Sequence, residues 1–571
     1  MSRIGNPSLD WQDGHVPFSM GFGDVYFSRA DGLAETKTVF LDGNRLPENW
    51  QGKRQFTIAE TGFGTGLNFL AAWKMFEETA SPDQRLDFIS VEQFPLHKND
   101  LAKALQNWRG EVDSSFIDRL LAIYPPRIPG FHRRFVTDRV TLTLIFDEAL
   151  RGFSELDAEV DAWFLDGFSP AKNPGMWQND LFAQMARLSH DGTTLGSFTA
   201  AGDVRRGLES VGFQIKKEDG FGHKRHRITG VFRSDKKRRE AIQPSAVTIY
   251  GAGLGGAALH HCLSRRGIQT TIIDPNGIAG GASSNHLGLL NPKLEAQDNP
   301  RNDAGTAAFS FARHILSETS DCDFNPTGAL HLAYDEERTT RLRNFIERNG
   351  WLEPHMQWIK TAETKDICGL TLSYNGLFYA DAATVNTKKF VERLLIGCLL
   401  ASAPMTDRVV IHATGLALPV SAKLQPVRGQ VTYIEAPQNL KCPVMFGHYI
   451  APTPDGLWSL GASFEQNNAV PDIKPEDTIK NIEAAENILG RKIEPIVTLE
   501  WAQIRTTSHD RFPLCGKISE NEYVLGALGS HGIQFALLMA ELLACQITGA
   551  PLPVGSSAAQ ALSVERFARK T

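Results

Sequence analysis

The chain has 571 residues, 42% of them hydrophobic and 22% charged, with a formal net charge of −6. That length exceeds one ordinary core and implies two or three domains of a soluble globular protein, and the mild acidity argues against a surface that coats nucleic acid all over while leaving local basic patches open. The seven cysteines all lie from Cys262 onward without a C-x-x-C pair, which argues against a zinc ribbon or disulfide framework, points to no metal, and suits a reducing cytoplasm.

The first twenty residues lack a basic stretch followed by an apolar one, so no secretory signal is expected. No segment repeats at a fixed period. The first strand, Phe56 to Ala59, runs into Glu60 and a G-x-G-x-G turn made by Gly62, Gly64 and Gly66, followed by an apolar helix from Leu67 to Phe76. This is not the G-x-G-x-x-G of a dinucleotide fold. It suits S-adenosylmethionine, which has no phosphates to cradle and needs close backbone approach. Three further strands follow: Leu86 to Val91 before Glu92, Val140 to Phe146 before Asp147, and Val160 to Leu165 before Asp166. Glu92 is expected to accept from the ribose hydroxyls and Asp147 to reach the adenine amine. Four acids at the carboxyl ends of neighbouring strands would line one crevice.

The loop after Asp166 is built to receive the methyl acceptor. Methyl transfer needs a neutral amine with its lone pair aimed at the sulfonium methyl, and a carboxylate can hold that amine. Phe168 and Trp177 either stack on an RNA base or pack in the core. Basic clusters follow at Arg205-Arg206, Lys216-Lys217 and His223 to Arg227, either solvated faces or phosphate contacts. Arg233 to Ser245 is a charged, Pro-containing run, read as a solvated linker or one that also touches RNA.

The segments Asp24 to Phe27, Glu60 to Phe69, Phe88 to Glu92, Val160 to Phe168 and Pro170 to Pro174, with Phe198 to Gly202, Val204 to Leu208 and Gly220 to Arg225, resemble one family in order from about residue 8 to 232. That family is the bifunctional tRNA 5-methylaminomethyl-2-thiouridine biosynthesis proteins. The resemblance implies a first half that methylates the exocyclic amine of 5-aminomethyl-2-thiouridine at wobble position 34 of tRNA.

A second strand–loop–helix unit opens at Val247. It carries Gly251, Gly253 and Gly256 in a G-x-G-x-x-G turn before the helix Ala257 to Leu263, and its second strand, Thr270 to Ile273, ends at Asp274, 18 residues past Gly256. An acid at about 20 residues completes the dinucleotide fingerprint, with pyrophosphate over the helix N-terminus and ribose on Asp274. FAD is favoured over NAD by the small-residue loop Gly280 to Gly288, which includes Ser283, by Ala-Thr-Gly ending at Gly415, and by Gly526 to Gly532, which holds Gly529, His531 and Gly532 and opens an apolar helix. The positive end of that helix can stabilise charge on a reduced flavin. The apolar run Phe535 to Ile547 is too short to span a bilayer and contains Glu541, so it reads as a buried helix.

This half resembles the glycine and D-amino-acid oxidase class, and the second half of the same tRNA enzymes. The resemblance implies an FAD-dependent oxidation that takes a hydride from the carbon beside the amine of a 5-carboxymethylaminomethyl group, with Arg428 and Arg505 as candidate carboxylate partners. The expected architecture is therefore α/β, with a Rossmann-like class I methyltransferase over 1–234, a linker at 235–245, and a two-subdomain FAD-binding domain of α/β and α+β type over 246–571. Where the family usually has Ser-Gly-Asn this chain has Ser283-Ser284-Asn285, so a Cβ at 284 is expected to crowd the backbone. Helix Thr387 to Leu400 is followed by the Val409 strand with only Ala401 to Arg408 between them, and strands and a hairpin usual there read as deleted. Two other readings are a methyltransferase whose flavin-like domain is only a structural or RNA-binding module, and a two-step enzyme for a small N-alkyl amino acid. The basic clusters and the family match speak against the last.

Overall fold

Strands whose residues are buried on both faces belong in the middle of a parallel sheet. Phe56–Glu60 and Val160–Leu165 are buried throughout, and they lie side by side there. In the computed structural model, residues 3–12, 14, 16–27, 31–222, 225–239, 243–295, 297–402 and 409–567 are described. The chain divides into two compact units, residues 1–242 with 545–556, and 243–544 with 557–571.

The first unit is an eight-stranded sheet in the order Phe213–Asp219, His226–Phe232, Ser189–Ser197, Val160–Phe164, Gln55–Glu60, Arg85–Val91, Val140–Phe146, Gly130–Phe135. The five central strands are parallel and the outer pairings antiparallel. Helices such as Leu67–Thr79 and Asn179–Leu188 bury their apolar sides, including Phe69, Phe76, Phe182 and Met185. A small antiparallel sheet, Leu9–Gln12, Val16–Ser19 and Asp24–Val25, precedes it.

The charged run after this sheet is largely exposed, yet parts of it are anchored. Lys236 Nζ donates to the carbonyls of Arg187 and Ser189 at 2.7 and 2.9 Å, and Arg238 Nη1 donates to both oxygens of the buried Asp161 at 2.6 and 2.7 Å. An ionised carboxylate inside a sheet needs a cation, and this segment supplies one. Residues 240–242 of the expected linker lie outside the described residues.

The second unit contains a six-stranded sheet in the order Leu399–Leu400, Gln269–Ile273, Ala246–Tyr250, Val409–His412, Glu522–Gly526, Leu514–Lys517, parallel except for the last pair. A nine-stranded, mostly antiparallel sheet is built around the long pair Leu424–Glu435 and Val497–Ser508. Its core includes Leu330, Ile434, Ile450, Trp458 and Leu460. The expected helix Thr387 to Leu400 ends at Leu394, because Leu399–Leu400 pair in parallel with Thr271–Ile272. Strand pairing overrides helical periodicity there. Of the segment read as shortened, residues 403–408 lie outside the described residues. No helix among the described residues is long and apolar enough to cross a membrane.

Candidate functional sites

Because the four strands ending in acids are neighbours in the sheet, Asp166, Glu60, Glu92 and Asp147 follow one another along its carboxyl edge. Their chemical settings differ. Glu92 is half-buried, and its carboxylate accepts from the N–H of Gly64 at 2.9 Å and of Phe94 at 2.8 Å. Burial raises its pKa, and those N–H groups partly offset the rise. The loop it holds carries Gly66, which caps the helix Leu67–Thr79 at φ +73°, a left-handed conformation that glycine adopts without strain.

Glu60 does not face the crevice. It is fully buried, accepting from Ser90 Oγ at 2.7 Å and Asn68 Nδ2 at 2.8 Å. Burial, then the Asp166 charge, push its carboxyl well above the ordinary range. Its role is support: the same Asn68 amide donates to Asp166 Oδ2 at 2.7 Å, and Thr36 Oγ1 donates to Asn68 Oδ1 at 2.7 Å. Asn68 was missed as a site residue, although its place in the first turn of the helix after the glycine loop, within reach of the strand ends, was a usable signal. Asp147 is also engaged differently from expectation. Arg3 Nε and Nη2 grip its Oδ2 at 2.8 and 2.6 Å, so that oxygen faces a guanidinium rather than an open adenine pocket.

Donor loop and acceptor loop touch. Thr61 Oγ1 donates to the Asp166 carbonyl at 2.6 Å, and a Cβ built on Gly62 would lie 3.5 Å from Gly167 Cα. Asp166 is half-buried at that junction. Phe168 stacks on Phe22 with ring centroids 4.7 Å apart and meets Tyr26 edge-on at 5.3 Å, so one of its faces is already taken. Trp177 is a packing residue rather than a stacking platform: it is buried, its indole N–H donates to the Phe168 carbonyl, and it meets Phe198 edge-on. Beside it opens a polar groove of about 610 Å³ lined also by Gln178, Asp180, Asp203 and Arg206.

The basic clusters are partly neutralised within the unit. Arg206 pairs with Asp203, and Lys216 and Arg227 both pair with Glu218, at 3.2 and 3.0 Å. His223 and Lys224 lie outside the described residues.

In the second unit the turn after Ala246–Tyr250 leads directly into the helix Leu254–Ser264. A Cβ on Gly256 would sit 1.8 Å from the Gly251 carbonyl oxygen, so only glycine lets the turn close so tightly. Ser283 Oγ accepts from the Leu254 N–H at 3.0 Å and lies over Gly253, at the helix end where a pyrophosphate would rest. Asp274 accepts from Ala252 N–H at 2.8 Å and from Asn276 N–H at 2.8 Å, which fixes it beside the turn. The glycine turn, the capping serine and this half-buried acid fit a dinucleotide. Ser284 is not crowded: its hydroxyl donates to the Gly281 carbonyl at 2.9 Å and accepts from the Trp501 indole at 3.0 Å. Gly415 and Gly529 occupy left-handed conformations at φ +61° and +56°, and Gly532 begins the helix Gly532–Thr548. His531 is held neutral by burial and by the neighbouring charge of Lys293, its pKa pulled down to about 3.

The two candidate arginines separate. Arg428 is fully buried and already saturated: it pairs with Asp477, donates to Asp472 Oδ1 at 3.0 Å and to Gln430 Oε1 at 2.6 Å. It cannot also grip a substrate, and its assignment as a carboxylate partner is corrected to a structural ion pair. Arg505, on Val497–Ser508, has no acid partner among the described residues. Its strand runs beside the Gly529–Gly532 loop: the Gly529 N–H donates to the carbonyl of Thr506, the next residue, at 2.9 Å, and Thr507 bridges Leu528.

Two family models match the chain. One, for S-adenosyl-L-methionine-dependent methyltransferases, covers residues 95–233, and the other, for FAD dependent oxidoreductases, covers 246–403 and 399–546, two stretches that meet where the connection is short. The tRNA 5-methylaminomethyl-2-thiouridine biosynthesis bifunctional protein MnmC of Maricaulis maris is 36% identical over 98% of this chain and 96% of its own. The protein of that name from Methylobacillus flagellatus is 34% identical over 98% and 95%. Among solved structures, L-proline dehydrogenase from P. horikoshii superposes with a TM-score of 0.50 at 16% identity over 57% of this chain and 99% of its own, a likeness of fold. With a donor crevice in one unit, a dinucleotide turn in the other and full-length relatives above 30% identity, the chain belongs to the family of tRNA 5-methylaminomethyl-2-thiouridine biosynthesis bifunctional proteins, uniting an S-adenosylmethionine-dependent methyltransferase with an FAD-dependent oxidoreductase.

Proposed function

We propose that the chain performs two consecutive steps on the wobble uridine, U34, in the anticodon loop of tRNA. The second unit oxidises the 5-carboxymethylaminomethyl group at the carbon beside its amine, water hydrolyses the resulting imine, and a two-carbon acid leaves 5-aminomethyl-2-thiouridine. The first unit then methylates that amine. Bound FAD supplies the hydride acceptor, and bound S-adenosylmethionine supplies the methyl group.

The chain's own residues bind and orient. Arg505 grips the substrate carboxylate with two N–H groups. Asp166, steadied by Asn68, accepts a hydrogen bond from the primary amine and favours loss of its proton. Glu92 holds the glycine loop beneath the donor. Exposed Lys217 and Arg225 supply phosphate contacts, and the substrate implies a cytoplasmic location.

Arg505 carries the reading, because a guanidinium with no acid partner among the described residues, beside the flavin loop, invites an anionic substrate. The test uses full-length protein and tRNA bearing the carboxymethylaminomethyl group. Without S-adenosylmethionine the product is 5-aminomethyl, and with it 5-methylaminomethyl, read by mass spectrometry of the nucleosides. Arg505→Ala should lower oxidation by at least about a hundredfold, roughly the 3 kcal/mol of a lost charge-assisted pair. A colourless protein that takes up no FAD but still methylates would instead support the methyltransferase-only reading.

A further inference from the structure

Beside Arg505 lies an aromatic ring that no core claims. Phe464 is 56% exposed, and its ring centroid is 5.7 Å from the Arg505 guanidinium carbon. It stands just before the short strand Glu465–Gln466, which pairs with Val427–Arg428, the same stretch that Arg505's own strand flanks on its other side. Gly429 makes the room, since a Cβ there would sit 2.2 Å from Arg505 Nη2. The adjoining wall is Tyr449, whose hydroxyl would lie 2.8 Å from a Cβ on Gly461, with Tyr433, Ala451 and Trp501 packed behind it. The site therefore has a cation and a phenol in its floor and one large apolar face turned to solvent at its rim.

A simple amino acid would use the floor and leave the rim idle. Singly exposed hydrophobic side chains are common on protein surfaces and by themselves mean little. This one differs in its position against a guanidinium that has no acid partner among the described residues. We propose that Phe464 is the platform on which the pyrimidine ring of the substrate stacks while Arg505 holds the carboxylate, so that the pair selects an N-substituted glycine whose substituent ends in a flat base. The inference rests on the oxidase reading above. Every base has a π-face, so stacking gives affinity without a hydrogen-bond code.

The test compares full-length holoenzyme with Phe464→Ala, Phe464→Leu and Phe464→Trp, using tRNA bearing the carboxymethylaminomethyl group and following formation of the aminomethyl nucleoside. Flavin content and melting temperature are checked for each variant. The expected result is a rise of about tenfold or more in KM for Phe464→Ala and Phe464→Leu, with most of the loss in KM rather than kcat, and recovery in Phe464→Trp. A Phe464→Leu enzyme with wild-type KM would show that apolar bulk alone suffices and overturn the assignment, as would a wild-type KM in Phe464→Ala. If the unaltered enzyme produced no aminomethyl nucleoside, the oxidase reading itself would fall, and that outcome is visible before any variant is made.

Discussion

At the scale of single residues, partnership decides role more than residue type does. Two arginines on neighbouring strands look alike in sequence, yet Arg428 is buried among Asp472, Asp477 and Gln430 while Arg505 has no acid among the described residues. Truncating one member of a buried ion pair leaves an uncompensated charge and costs about 3–5 kcal/mol. Arg428→Ala should therefore lower the stability of the second unit by that order in urea unfolding, whereas Arg505→Ala should leave the transition within about 1 kcal/mol. The reverse pattern would exchange their roles. Asn68 offers a second contrast. It ties Asp166 to the buried Glu60, so Asn68→Ala removes the hold on Oδ2 of the carboxylate that orients the amine, leaving the Gly167 N–H on Oδ1. Loss of alignment on this scale costs about a hundredfold in rate. Methyl transfer should fall by that order while calorimetric S-adenosylmethionine affinity changes far less; equal losses in both would make Asn68 a cofactor ligand instead.

At the scale of elements, the parallel strands and glycine turns were legible because their physics is local. An apolar run followed by glycine and a helical pattern has few alternative structures, and Gln55–Glu60 and Ala246–Tyr250 lie where that pattern puts them. Where the structure adds to or departs from those expectations, the cause is a partner distant in sequence. The helix expected to reach Leu400 stops at Leu394 because a strand more than a hundred residues earlier captures Leu399–Leu400. The charged run near residue 236 is drawn onto Asp161. Ser284 is comfortable because Trp501 donates to it. Ser284→Gly should thus be no repair. It leaves the Trp501 indole without its acceptor and should cost about 1 kcal/mol, measured as a lower denaturant midpoint of the flavin-loaded protein. A higher midpoint would restore the view that the side chain is crowded.

For the molecule's pH response, the second unit is set apart by two depressed histidines. His331 is buried and His531 half-buried, and each is held neutral with its pKa lowered to about 3, chiefly by desolvation. A depressed histidine leaves the unfolded chain holding more protons below its ordinary pKa near 6.5. The stability it contributes is complete above about pH 6.5 and is lost as pH falls from there toward 3, at up to about 1.4 kcal/mol per pH unit for each group. The flavin-associated melting temperature should hold between pH 7 and 8 and drop steadily below 6. A flat profile from pH 7 to 5 would show that these imidazoles charge in place.

What the amino-acid order by itself determined is the pair of nucleotide-type turns, the two sheets that carry them and the family, since each rests on patterns within a few tens of residues. Which charged groups remain open to substrate was decided only in three dimensions. Glu60, Asp147 and Arg428 read as site residues by type and position, but folding supplies each with a partner or buries it, through Asn68, Arg3 and Asp477 respectively. A charge is neutralised by whatever lies within a few ångströms, and sequence separation does not encode that distance.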